Sequence, residues 1–158
     1  MLEYNVTAKR LDSHGGIAKC KDAEIALDTD VNGRHDAFNP AELFLAALAA
    51  CMIKGIERAI PMLQFALRGV EVKVHGVRQD SPPKMVAVDY EIVVDTDESN
   101  RRLELLHTNV RKFGTISNTV AAATSLGGRI IRAAASASRG QQSVTDAISQ
   151  KPDTTPAS

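Results

Sequence analysis

Residues 39–60 read NPAELFLAALAACMIKGIERAI, and the reading of this stretch decides the fold. Asn39 and Pro40 mark a helix start, because proline is tolerated in a first turn, where its missing N–H would go unpaired anyway. Glu42 follows at a point where the helix N-terminus favours negative charge. Leu43, Phe44, Leu45, Leu48, Met52, Ile53 and Ile56 alternate with alanines, so the helix is apolar nearly all round until Lys54, Glu57 and Arg58. That pattern belongs to a buried central helix. It is too short and too alanine-rich for a membrane span, and charges close it off. Ala46, Ala47, Ala49 and Ala50 allow another helix to approach closely. Cys51, near the middle, is therefore expected to be a thiol held in a tight helix pair.

Outward from this helix the chain reads as strands, then a hairpin, then helices. Ahead of it, Tyr4–Lys9 is a strand by its β-branched and aromatic content, and Asp12–Gly16 is a turn. Ile17–Cys20 returns as hairpin partner and Ala23–Leu27 makes a third short strand. Together they predict a small antiparallel meander, joined to the helix by the polar loop Asp28–Ala37. Beyond it, Pro61–Leu67 is a connection. Val70–Val77 alternates with a period of two, and Met85–Val94 is the strongest strand, so the turn at Ser81-Pro82-Pro83 closes a hairpin. Asp97 or Ser99 caps a second helix over Arg101–Lys112. Ser117–Leu126 reads as a third helix or an irregular segment, broken by Gly127-Gly128. Arg129–Arg132 is a short edge strand. The order predicts an α+β fold rather than a βαβ alternation. Residues 1–134 are read as one domain. Residues 135–158 are poor in large apolar side chains and predict a largely disordered tail, with a weak helical turn at Val144–Ile148.

Composition narrows the function classes. A chain of 158 residues is one domain large enough to bury a core. Nineteen basic against 19 acidic residues leave no net charge, so neither nucleic acid nor an anionic membrane is an expected partner. The opening MLEYNVTAKRLDS has no basic leader followed by an apolar core, and a cytoplasmic location is expected. Cys20 and Cys51 form no disulfide framework and no zinc spacing, so both are expected as thiols in a reducing compartment. The histidines at 14, 35, 75 and 107 are scattered, and Gly128-Arg129 lacks the spacing and lysine of a phosphate loop. No metal and no cofactor are expected.

Pro40-Ala41-Glu42-Leu43, then Ala46-Ala47-Leu48 and Cys51, resemble the osmotically inducible protein C and organic hydroperoxide resistance family, OsmC/Ohr. Ser117-Asn118-Thr119-Val120 matches that family's second motif, a Cys-Pro-x-Ser-Asn-Thr stretch following a helix. The resemblance spans residues 2–132. It implies an OsmC-like fold, with antiparallel sheets around a central cysteine-bearing helix, and an intertwined homodimer. It also implies reduction of organic hydroperoxides by a peroxidatic and a resolving cysteine, with a thiol reductant. Cys51 falls at the peroxidatic position. Gly114 stands where the resolving cysteine would be, and Thr115 where the proline would be. Ten residues before the cysteine, where the peroxidase branches carry a glutamate, this chain has Ala41, and Glu42 comes one residue later. At about 100° per residue, Glu42 lies half a turn from the Cys51 face, which favours a first-turn role. The same branches hold the thiolate with an arginine of the N-terminal meander, and the candidates there are Arg10 and His14.

Peroxide reduction needs a thiolate, and burial alone raises a thiol pKa, so a cation or hydrogen-bond donors must lie close to Cys51. Lys54 at i+3 and Arg58 at i+7 project on nearly its face. They either supply charge or mark a solvated helix end. Ser117 and Asn118 either donate hydrogen bonds to the site or cap a helix. Cys20 is either an inert strand thiol or a substitute resolver. Two functions stand. One is a single-cysteine, thiol-dependent peroxidase of organic hydroperoxides, acting in oxidative stress defence. The alternative is a non-catalytic homodimeric binding protein or redox sensor holding a small apolar ligand at the dimer interface.

Overall fold

The structure, a computed structural model, describes residues 1–134. The tail expected over 135–158, with its helical turn, lies outside the described residues. Strands β1 (Thr7–Arg10), β2 (Gly15–Cys20) and β3 (Ala23–Asp28) form an antiparallel sheet in that order. The loop after β3 is built on Asp28, a buried carboxylate that accepts the backbone N–H groups of Asp30 and Arg34 at 3.0 and 3.1 Å. It delivers the chain to helix α1 (Pro40–Leu63).

The start of α1 is a capping box. Asn39 Oδ1 accepts the Glu42 N–H at 3.0 Å and Glu42 accepts the Asn39 N–H at 2.9 Å, so two donors that the helix leaves orphaned are satisfied reciprocally. At its other end the helix runs past the expected stop at Ile60 and includes Pro61. A proline there removes one hydrogen bond in the last turn, and Gln64 then ends the helix in a left-handed conformation, with the Phe65 N–H returning to the Ile60 carbonyl.

Strands β4 (Gly69–Gln79) and β5 (Lys84–Asp95) form the expected hairpin. Helix α2 (Asn100–Phe113) follows, capped by Ser99, and then α3 (Thr115–Ala121) and β6 (Ser125–Arg132). The second sheet has the order β4-β5-β6 and is mixed, because β6 joins β5 in parallel. This departs from the expected all-antiparallel sheets: returning in parallel requires a crossover, and α2 and α3 supply it. The third helix stops at Ala121, and Gly127-Gly128 lies inside β6 instead of breaking the chain. Gly128 is required there by its neighbour. A Cβ at 128 would meet the Tyr90 carbonyl oxygen at 2.4 Å and its ring carbons at 2.5 Å.

Period-two alternation places Val88, Tyr90, Ile92 and Val94 of β5 on one buried face, beneath Leu48, Met52 and Ile56 of α1 and Leu103, Leu106 and Val110 of α2. The opposite face carries Glu71, Lys73, Asp89 and the ion pair Glu91–Arg129. Helix α1 is only half covered within the chain: Ala46, Ala47, Ala50 and Ile53 are exposed. This differs from the helix buried all round that its composition predicts.

Candidate functional site

Two contacts fix how α2 lies along α1. At one end, Arg102 Nη2 donates to the carbonyls of Leu63 and Gln64 at 2.7 and 2.9 Å. Further along, Gly55 lies against Val110, where a Cβ at 55 would stand 3.6 Å from a valine methyl. The helices therefore run antiparallel, and one more turn along each brings Cys51 and Gly114 to the same level of the seam. Cys51 is a free, half-buried thiol. At about 100° per residue it sits on the shoulder of α1, between the face carrying Leu48, Met52 and Ile56 and the outer face. The residue at that level on the α2 side is a glycine, Gly114, which ends the helix. Ser117 fills the space beside it: a Cβ at 114 would meet Ser117 Oγ at 2.8 Å and the Val110 carbonyl oxygen at 3.2 Å.

The other candidates divide between this seam and distant places. Lys54 is exposed on the next turn of α1. Arg58 lies on the same flank but its guanidinium stacks over the Phe113 ring, 4.9 Å from the centroid. Ser117 is buried at 5% exposure, and its hydroxyl has no hydrogen-bond partner among the described residues. Asn118 is exposed on α3 and its side-chain nitrogen donates to the Lys112 carbonyl at 3.4 Å. Neither residue caps a helix, because α3 begins after Gly114 with no side-chain cap. Glu42 is occupied by its capping box. Arg10 and His14 belong to the N-terminal sheet and its first turn. His14 Nδ1 lies 2.5 Å from Asp30 Oδ2, and this hydrogen bond to the carboxylate holds the imidazole above its ordinary pKa. Arg10 lines a shallow groove with Lys9, Asp12 and Gly16. Cys20 ends β2, opposite Ala23 in that same sheet, and both cysteines are free.

Residues that sequence reasoning passed over form a second feature. Tyr90 Oη and His107 Nε2 are 2.8 Å apart, with their rings edge to face. They line a cleft of about 480 Å³ together with Met52, Arg111, Ser117 and Leu126. Burial raises the Tyr90 phenol pKa, and burial followed by the Arg111 charge lowers that of His107. Cys51 does not line this cleft. The signal was available in the sequence: Tyr90 has the parity of Val88 and Ile92, and His107 lies one turn beyond Leu103 on the buried stripe of α2.

A single thiol on the shoulder of a central helix, seamed against a second helix and backed by a mixed sheet, places the chain among small α+β cysteine-helix proteins. Residues 33–127, more than half of the chain, match the sequence profile of the OsmC-like protein family. The chain belongs to that family. No curated protein sequence is a significant match. Solved structures share the fold at low identity. An OsmC-like protein from Mycoplasma pneumoniae aligns with a TM-score of 0.77 at 17% identity, over 84% of this chain and 99% of that one. The organic hydroperoxide resistance protein OhrB of Bacillus subtilis aligns with 0.61 at 17%, over 82% and 98%. An organic hydroperoxide resistance protein OsmC from Legionella pneumophila aligns with 0.63 at 19%, over 82% and 98%. No helix among the described residues is long and apolar enough to cross a membrane.

Proposed function

We propose that the chain is a thiol-dependent peroxidase of the one-cysteine kind, reducing organic hydroperoxides through Cys51 in a reducing cytoplasm. The observation that carries this reading is the free, half-buried thiol of Cys51 on the central helix α1, in a chain that has Gly114 where the family resemblance puts a second thiol. The names of the hydroperoxide resistance proteins that share the fold support it. In the reaction the Cys51 thiolate attacks the terminal peroxide oxygen and the O–O bond breaks. The alkoxide leaves and takes a proton to become the alcohol, and Cys51 becomes a sulfenic acid. An external thiol attacks that sulfur and releases water, leaving a mixed disulfide. A second thiol frees Cys51 and carries the disulfide away.

The reading includes an intertwined homodimer. Ala46, Ala47, Ala50 and Ile53 of α1, Ile25 of β3, and Val6 and Leu11, which flank β1, are exposed in one chain, and apolar surface of this extent marks an association face. In a dimer the N-terminal sheet of one protomer would lie over α1 of the other and bring Arg10 or His14 towards its thiol. Lys54 is the nearest cation on the same helix.

The test is consumption of cumene hydroperoxide with a monothiol and with dihydrolipoamide, compared with Cys51→Ser. Turnover that vanishes in the variant is expected. Equal rates for both proteins would overturn the peroxidase reading and favour the alternative, a dimeric binding protein or redox sensor. Sedimentation should give twice the chain mass.

A further inference from the structure

We propose that the cleft between β5, α2 and α3 is a binding site for a small amphipathic carboxylate, separate from the Cys51 thiol. The cleft has a floor of apolar side chains, Met52, Val110 and Leu126, and a rim bearing two cations, Arg111 and Lys112. Among the described residues no acidic side chain lines it. Neither Arg111 nor Lys112 is ion-paired among the described residues, which contrasts with Arg34, Arg68, Arg78, Arg102 and Arg129, all of which meet carboxylates. Lys112 Nζ lies over the Phe113 ring instead, 5.1 Å from its centroid.

A second, independent observation is the Ser117 hydroxyl. It is buried in the wall of the cleft without a partner among the described residues, and a buried hydroxyl left unsatisfied is a standing cost to the fold that a ligand oxygen would relieve. Rotation about its single side-chain torsion turns it towards such an oxygen. Tyr90 and His107 add a preformed donor–acceptor pair at 2.8 Å, held in place by the missing side chain of Gly128. Burial and the Arg111 charge favour the neutral imidazole, so the anion is matched by Arg111 and Lys112. The Tyr90–His107 pair keeps one free donor for it, the His107 Nδ1–H or the Tyr90 O–H, according to which partner donates in the bond between them. A cavity of about 480 Å³ lies in the range that holds a small organic molecule. An apolar floor, a cationic rim and hydroxyl donors together fit a carboxylate attached to a short alkyl or aromatic body.

The experiment titrates the full chain with octanoate, with octanol and with acetate, following the His107 ring signals by NMR. Octanoate is expected to shift those signals saturably and to bind at least about tenfold more tightly than octanol or acetate, the margin of a charge-assisted pair. Arg111→Gln should weaken octanoate about tenfold, and Ser117→Ala should weaken it less. Cys51→Ser should leave it unchanged, so the result is independent of peroxide turnover. No shift of His107 with octanoate at millimolar concentration would overturn the proposal. So would equal binding of octanol, or an unchanged affinity in Arg111→Gln.

Discussion

Ser117 occupies the space into which any side chain at position 114 would grow, its Oγ lying 2.8 Å from where a Gly114 Cβ would stand. A thiol side chain introduced at that position meets the serine hydroxyl, which can turn away, and the Val110 carbonyl, which cannot. Gly114→Cys should destabilise the protein by about 1–3 kcal/mol through overpacking, and adding Ser117→Ala should recover part of the loss. Denaturant unfolding checks both. Under the proposed function, the double variant treated with cumene hydroperoxide should also form a disulfide between Cys51 and the introduced thiol, seen as the mass lost with two hydrogen atoms.

Gly128 and Tyr90 make a similar pair. A Cβ at 128 would penetrate the Tyr90 ring and carbonyl, so Gly128→Ala should cost about 1–3 kcal/mol and expel the ring from its slot. The phenol reports this directly, because burial raises the Tyr90 pKa and the other tyrosine, Tyr4, is exposed far from this slot in the sequence. In Gly128→Ala the Tyr90 titration, read by ultraviolet absorbance, should fall towards the ordinary value of a tyrosine in water.

Two histidines should bend the stability curve in opposite directions. His107 has a folded pKa below the ordinary value, so the unfolded chain binds its proton first and stability falls as pH drops below about 6.5. His14 has a folded pKa above the ordinary value because of Asp30. Its contribution is present below about 6.5 and is lost as pH rises through the folded pKa. Unfolding midpoints across this window should lose the acid-side decline in His107→Gln and the alkaline-side decline in His14→Gln.

Glu42 is committed to the helix start. Asn39→Ala should cost about 0.5–2 kcal/mol as a lost N-cap, and Glu42→Gln, which keeps an acceptor oxygen, should cost less. Neither should change the rate at which Cys51 reacts with cumene hydroperoxide. A slowing of that step in Glu42→Gln, with stability unaltered, would place the carboxylate at the thiol after all.

Much of this was legible in the chain itself, wherever one physical signal acted alone. The Asn39-Pro40-Glu42 cap, the alternation through Val70–Val94 and the apolar stripe of α2 each fix an element locally. The misses fall where a neighbour distant in sequence decides. Gly127-Gly128 reads as a break until Tyr90 is known to need the space. Pro61 reads as a stop although the last turn tolerates a lost hydrogen bond. The parallel return of β6 has no local signature. At the site, the helix position of Cys51 was readable, whereas Arg58 turning onto Phe113 and Tyr90 meeting His107 depend on contacts across elements.

The parallel return of β6 also bears on how the chain is made. Strand β5 emerges from the ribosome before the strand that covers its second edge, and the whole α2–α3 segment must follow before Ser125–Arg132 is available. Until then β5 presents Val88, Ile92 and Val94 beside a row of unpaired backbone groups, the surface that recruits strands of other chains. Closure of α2 onto α1, through Arg102 and the Gly55–Val110 contact, would cover the apolar face of β5 at once and leave only its backbone edge to wait for β6.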